Sequence, residues 1–389
     1  MSLPLLLGGC GEKSSPEESE STHENSTAPS EEVKAVEEKQ QEVTPEEPVA
    51  ETNPADAVSV NPNLKYEIKG DAVTITGCNE KASGALIIPA TIEGKSVTNI
   101  GNSAFIGCSS LTSITIPNSV SGIGNQAFFL CANLTSITIP NSVSSIGNQA
   151  FYDCNRLTSI TIPEGIARIQ SGVFTGCSAL TSISIPENVK EIEGEAFAHC
   201  RNLTSITIRS SATRIGKEAF YECGNLADIS LPESITHIEA LAFGGCKSLT
   251  NIGLPDALTS IETGVFVESG LEHISIPDGV SGIGLGAFSR CTSLTSVIIP
   301  DSVVTIAGSS FSGCTNLKDI TIPDSVTSIE PDAFGGCTSL TAINFLGDAP
   351  KAGTTVMFDA TFTIYRAAES KGWSETWGGR PVKLISEKP

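Results

Sequence analysis

A stretch of 23 residues recurs along most of this 389-residue chain, and that period decides what the chain can become. Units begin at Leu111, Leu134, Leu157, Leu180, Leu203, Leu226, Leu249, Leu271, Leu294, Leu317 and Leu340, with one interval, Leu249 to Leu271, shortened to 22. The unit Leu134 to Arg156 reads LTSITIPNSVSSIGNQAFYDCNR, and the whole set reduces to LxxIxIPxxVxxIxxxAFxxCxx. A unit this short cannot bury a core alone. The units must stack and seal one another, which predicts a solenoid.

Each fixed column has a physical meaning. Leu134, Ile137 and Ile139 have the spacing of a short parallel strand that turns three apolar side chains inward and leaves Thr135, Ser136 and Thr138 outside. Pro140 ends the strand because it has no amide proton to give a neighbouring ladder. Val143 and Ile146 return to the interior, and Phe151 fills the wide end of the coil. Phenylalanine holds that last column at 105, 128, 151, 174, 197, 220, 243, 266, 288, 311 and 334, taking eleven of the fifteen in the chain. Linking segments such as Gly147-Asn148-Gln149 leave room for a turn or two of helix, so no long helix is expected.

This pattern resembles the BspA-like leucine-rich repeat of bacteria, and the match runs over about residues 83–350. The resemblance implies a leucine-rich-repeat solenoid lined by β-strands. It also implies a bacterial surface or secreted protein, from a family with several members linked to adhesion to host matrix proteins or to other bacteria.

The flanks complete a five-part organisation. Residues 64–82 carry Tyr66-Glu67-Ile68-Lys69 and Val73-Thr74-Ile75-Thr76 around Gly70-Asp71, which reads as a hairpin covering the open end of the solenoid. The first coil has Leu86, Ile88, Pro89, Ile100 and Phe105, with an insertion around Glu93-Gly94-Lys95. At the other end, residues 351–389 form a C-terminal cap: Thr361 to Tyr365 is a strand signal, and the cap holds both tryptophans, Trp373 and Trp377.

Residues 11–63 are different in kind, with fourteen Asp/Glu against three Lys, no aromatic residue, and many Ser, Thr and Pro. Such a segment buries too little apolar surface to offset its chain entropy, so it reads as a disordered acidic tether. Upstream, residues 1–10 end in Leu7-Gly8-Gly9-Cys10, which resembles the bacterial lipobox. That resemblance implies a lipidated Cys10 that anchors the chain to a membrane, although no Lys or Arg precedes the apolar run. The formal net charge of −21, with no clustered Lys/Arg, argues against nucleic acid as a partner.

The cysteines at 108, 131, 154, 177, 200, 223, 246, 291, 314 and 337 all follow the column phenylalanine by three residues. They lack the paired CxxC spacing of zinc sites, and a run of equivalent cysteines cannot pair completely, so they read as buried reduced thiols. The four histidines, His23, His199, His237 and His273, form no ligand cluster. Gly282, Gly284 and Gly286 imitate a phosphate loop without its context. The residue after the proline is acidic at Glu164, Glu187, Glu233, Asp256, Asp278, Asp301 and Asp324, which is ordinary turn chemistry more than a calcium site. No nucleophile, base and orienting group can be assembled, so neither an enzyme nor a cofactor is expected.

The outward strand positions are the remaining candidates. They are nearly uniform in early coils, as in Thr112, Ser113 and Thr115, and diversify from Leu226 onward to Asp228, Asn251, Glu272, His273, Lys318 and Asp319. A repeat scaffold keeps its interior fixed while exposed positions vary to suit a partner. These six residues are therefore the expected site for an extracellular protein or a glycan on a monomeric, adhesin-like binding protein. A structural spacer with no ligand is the alternative, followed by ice binding through the Ser/Thr ladder.

Overall fold

A computed structural model describes residues 61–209, 211–352 and 362–389; Cys10 and residues 11–60 of the expected tether lie outside them. The described part is a β-solenoid, and its sole helical element is a single 3-10 turn, Ile385–Glu387. Neighbouring coils pair in parallel with a register of one repeat, as in Ser113↔Ser136, Ile114↔Ile137 and Thr115↔Thr138. Farther along, Ser182↔Ser205 to Ile185↔Ile208 repeat the arrangement. Because register equals period, like residues stand on like, and every inward column becomes a continuous file.

The phenylalanine file shows the result. From Phe105 to Phe334, successive rings stack 5.1–5.7 Å apart with planes within 20° of parallel. All eleven are at most 1 % exposed. Beside it runs the cysteine file, composed of free thiols. From Cys131 to Cys337, each column thiol donates to the carbonyl of the column phenylalanine one coil earlier, at 3.0–3.3 Å. Cysteine suits this place because it is small and apolar yet carries one weak donor for a carbonyl lone pair that would otherwise go unused. Burial pushes the thiols of Cys131, Cys200 and Cys337 up to about 12, and that of Cys291 up to about 11.

Two further ladders carry no side-chain signature. The segment before each inner isoleucine forms a two-residue parallel strand, as in Arg168–Ile169, Glu191–Ile192, Arg214–Ile215 and His237–Ile238, paired in that order. The turn around each phenylalanine makes a third ladder. The amides of Gln126, Phe128 and Leu130 donate forward to the carbonyls of Asn148, Ala150 and Tyr152 at 2.8 Å each. The same three bonds recur at every step from Ser103 to Gly335, always donated toward the C-terminal neighbour. To aim three amides one way, the first and fifth residues of the turn take positive φ, as at Gln126 (55°) and Leu130 (60°), Glu195 (58°) and His199 (59°). A non-glycine residue there costs about 1–2 kcal/mol, which the inter-coil bonds offset. These linking segments hold turns where a turn or two of helix was allowed.

The strand ladder is interrupted in three places: Leu157–Ile162 and Leu249–Leu254 form no regular strand, and Ser296–Ile298 does not pair with Asp319–Ile322. The second leads into the shortened coil, where the chain draws in so far that a Cβ on Gly270 would lie 2.1 Å from the Lys247 carbonyl oxygen.

At the N-terminal end, β1 (Leu64–Lys69) and β2 (Ala72–Cys78) are antiparallel, and β2 runs parallel to Lys95–Ile100. At the other end, Ala342–Phe345, Thr363–Arg366 and Arg380–Leu384 continue the parallel sheet. The rings of Trp373 and Trp377 close on Phe345 at 4.9 and 5.3 Å, and their indole N–H groups reach the carbonyls of Gly347 and Pro350.

Candidate functional site

The strand face has two outward columns of different character. In the first, threonine hydroxyls bond to the backbone of the preceding coil: Thr135 to the Thr112 carbonyl at 2.9 Å, Thr204 to Thr181 at 3.0 Å, Thr295 to Glu272 at 3.0 Å, Thr341 to Lys318 at 3.1 Å. These hydroxyls satisfy the scaffold, so the uniformity of this column has a structural cause. Glu272 and Lys318 break it with exposed charged side chains, one on each side of Thr295.

The second column, serine as far as Ser205, reads Asp228, Asn251, His273, Ser296 and Asp319 in the next five coils, all exposed. Register aligns Asp228 with Ser205, and His273 with Ser296. His273 Nδ1 lies 3.0 Å from Ser296 Oγ and 3.2 Å from Thr295 Oγ1. Among the described residues no carboxylate hydrogen-bonds to this ring, so the pair lacks the orienting group that a nucleophile–base constellation needs.

Where the strand ladder fails, the face opens into a depression of about 380 Å³. Gly253 is its open spot: it occupies the third outward column, which threonine or serine fills in most coils, and a Cβ there would meet nothing within 4 Å. Asn251, His273, Ser296 and Asp256 supply polar lining, and Ile298, 65 % exposed, forms an apolar rim. Of the six residues expected from sequence, Asn251 and His273 line this depression. Asp228, Glu272, Lys318 and Asp319 are exposed on neighbouring positions and do not line it. Sequence reasoning missed Ile298, and the available signal was an isoleucine in a Ser/Thr column.

It also missed a charged cleft of about 250 Å³ on the short-ladder face. Arg168 pairs with Glu191 at 3.3 Å and Glu193 at 3.6 Å, while Arg214 grips Glu239 in a close ion pair. Gly194 and Gly216 also line it, where the backbones pack so closely that a Cβ on Gly216 would lie 2.6 Å from the Gly194 nitrogen. Two arginines against three glutamates leave the cleft with one formal negative charge in excess. Exposed pairs of this kind contribute ~0–1 kcal/mol each.

Among the described residues, no group of three or more His, Cys, Asp or Glu side chains is placed to hold a metal ion. His199 stands apart, its Nδ1 buried without a hydrogen-bond partner and its ring edge-on to Tyr221 at 5.7 Å.

The solenoid is similar to solved leucine-rich-repeat structures. One from Bacteroides ovatus is 28% identical, covers 74% of this chain and 94% of its own, and superposes with a TM-score of 0.57. A leucine-rich cell surface protein from Faecalibacterium prausnitzii is also 28% identical over 74% of this chain and 94% of its own, at a TM-score of 0.46. A leucine-rich-repeat protein of T. pallidum is 31% identical over 49% of this chain and 90% of its own, at a TM-score of 0.46. No curated protein matches the chain. The family model described as "BspA type Leucine rich repeat region" matches residues 98–227 and 213–341. Those residues carry the phenylalanine file, the cysteine file and the strand ladder, and the chain belongs to the BspA-type leucine-rich-repeat proteins.

Proposed function

We propose that the chain is a non-enzymatic binding protein of the bacterial cell surface or its surroundings, and that it takes a protein or glycan partner on the strand face between Leu226 and Leu340. One observation carries this reading: the depression at Gly253, lined by Asn251 and His273 and rimmed by Ile298, interrupts the column that threonine or serine fills in most coils. An amide, an imidazole, a hydroxyl and a carboxylate around one exposed isoleucine suit a ligand that offers hydrogen-bonding groups beside an apolar face. The charged positions Asp228, Glu272, Lys318 and Asp319 frame the approach.

The test is a binding screen of the full chain against extracellular matrix proteins and bacterial surface glycans, followed by Asn251→Ala/His273→Ala and Ile298→Ser. Saturable binding weakened ten-fold or more by these changes supports the assignment. Saturable binding that survives all of them moves the site elsewhere, and absence of binding throughout favours a spacer. Ice binding is less favoured, because the first-column threonine hydroxyls are already bonded to backbone carbonyls. In the same reading, Cys10 carries a lipid and residues 11–63 hold the solenoid away from the membrane. Equal membrane partitioning of wild type and Cys10→Ala discards the anchor.

A further inference from the structure

The cysteine file has an open end. Every column thiol from Cys131 onward reaches a phenylalanine carbonyl in the coil before it, but the coil before Cys108 has no such turn. The Cys108 Sγ instead lies 3.8 Å from the carbonyl oxygen of Asn79, and the Sγ of Cys78 lies 3.7 Å from the same oxygen. Two thiols thus converge on one acceptor. Cys78 closes β2 in register with Leu64, and Asn79 is fixed by its amide to Asn63 and by its carbonyl to the Ala82 amide, at 2.8 Å each. Among the described cysteines, Cys78 alone is not buried.

We propose that Cys78 and Cys108 are a disulfide-forming pair, oxidised by a small-molecule disulfide, that fastens β2 to the first coil while the rest of the file stays reduced.

The chemistry follows from the unequal surroundings of the two sulfurs. The thiol of Cys78 is pulled below its ordinary range by a hydrogen bond from Cys108, against the opposing effect of burial. The thiol of Cys108 is raised, first by that same interaction and then by burial. Cys78 is therefore the attacking thiolate. It displaces one thiolate from glutathione disulfide and becomes a mixed disulfide, which removes the negative charge that had held the Cys108 proton. Cys108 then loses that proton to solvent and attacks the Cys78 sulfur, expelling the second glutathione thiolate. Two protein thiols are oxidised by two electrons and one glutathione disulfide is reduced to two thiols. Farther along the file no exposed thiol exists to begin the exchange, and burial raises those thiols out of the reactive range.

The experiment treats the full native chain with glutathione disulfide at pH 8, quenches in acid, alkylates under denaturing conditions and maps the peptides. The expected result is one Cys78–Cys108 linkage, with the nine thiols from Cys131 to Cys337 recovered free and a higher Tm than the reduced protein. Cys78→Ser should show neither the linkage nor the rise in Tm. In Cys108→Ser the glutathione adduct should persist on Cys78; where that variant does not fold, Cys78→Ser alone decides. A lasting adduct on Cys78 in the wild type with Cys108 free, a Cys78–Cys131 bond, or an unmodified Cys78 would each overturn the assignment.

Discussion

The strand faces of residues 111–138 and 249–298 stand on the same file of phenylalanines yet offer solvent different surfaces. In the early coils the ladder is regular and the second column is serine, while first-column hydroxyls such as those of Thr135 and Thr295 are spent on the backbone in both regions. In the later coils one strand is lost, one coil is a residue short, and the second column changes to Asn251 and His273. The contrast shows that inward and outward columns answer to different demands. The interior fixes the repeat, and irregularity outside is tolerated because the phenylalanine and turn ladders pass through it unbroken.

The largest test of that comparison is alkaline pH. Folded thiols at about 11–12 lie above the value of an unfolded cysteine, so their contribution is fully present below ~8.5 and is lost as pH rises through the folded values. Each such thiol should withdraw on the order of 1 kcal/mol per pH unit in that window. Thermal melts should therefore collapse between pH 9 and 12, with amide exchange rising least at the coil where Ser269 replaces the thiol. Next in size, Phe128→Ala and Phe266→Ala should each cost about 3–5 kcal/mol in denaturant unfolding. A large difference between the two would break the claim of one common interior. Gly270→Ala should cost about 1–3 kcal/mol by forcing backbone apart in the shortened coil. In the early coils, Thr135→Val should cost about 0.5–1.5 kcal/mol through its lost hydrogen bond. Asn251→Ala in the later coils should stay within about 0.5 kcal/mol of wild type. Equal losses for these last two would erase the distinction between scaffold and display positions.

The stacking and the identity of the inward columns were legible because a 23-residue period leaves apolar residues no other place to go. The two-residue ladder and the turn ladder were not, since both are made by backbone groups. The left-handed positions of the turn ladder are held by glycine in some coils, as at Gly176 and Gly245, and by residues as unlike as Leu130, Asp153 and His199 in others, so no single residue type marks them. At the candidate site, Asn251 and His273 stood out as departures from serine. The depression did not, because it arises from a missing side chain at Gly253 and a broken strand. Ile298 was hidden within Val297-Ile298-Ile299-Pro300, a run that reads as interior although alternation along the strand sends its middle member outward.

The turn ladder gives the molecule a direction. Each of its amides points its N–H toward the C-terminal neighbour, whereas Thr135, Ser144 and Gly147 donate theirs to the coil before. A coil can be deleted or duplicated without disturbing that polarity, but one inserted back to front would set donor against donor. Evolution can thus lengthen or shorten such a protein freely, and never flip a piece of it.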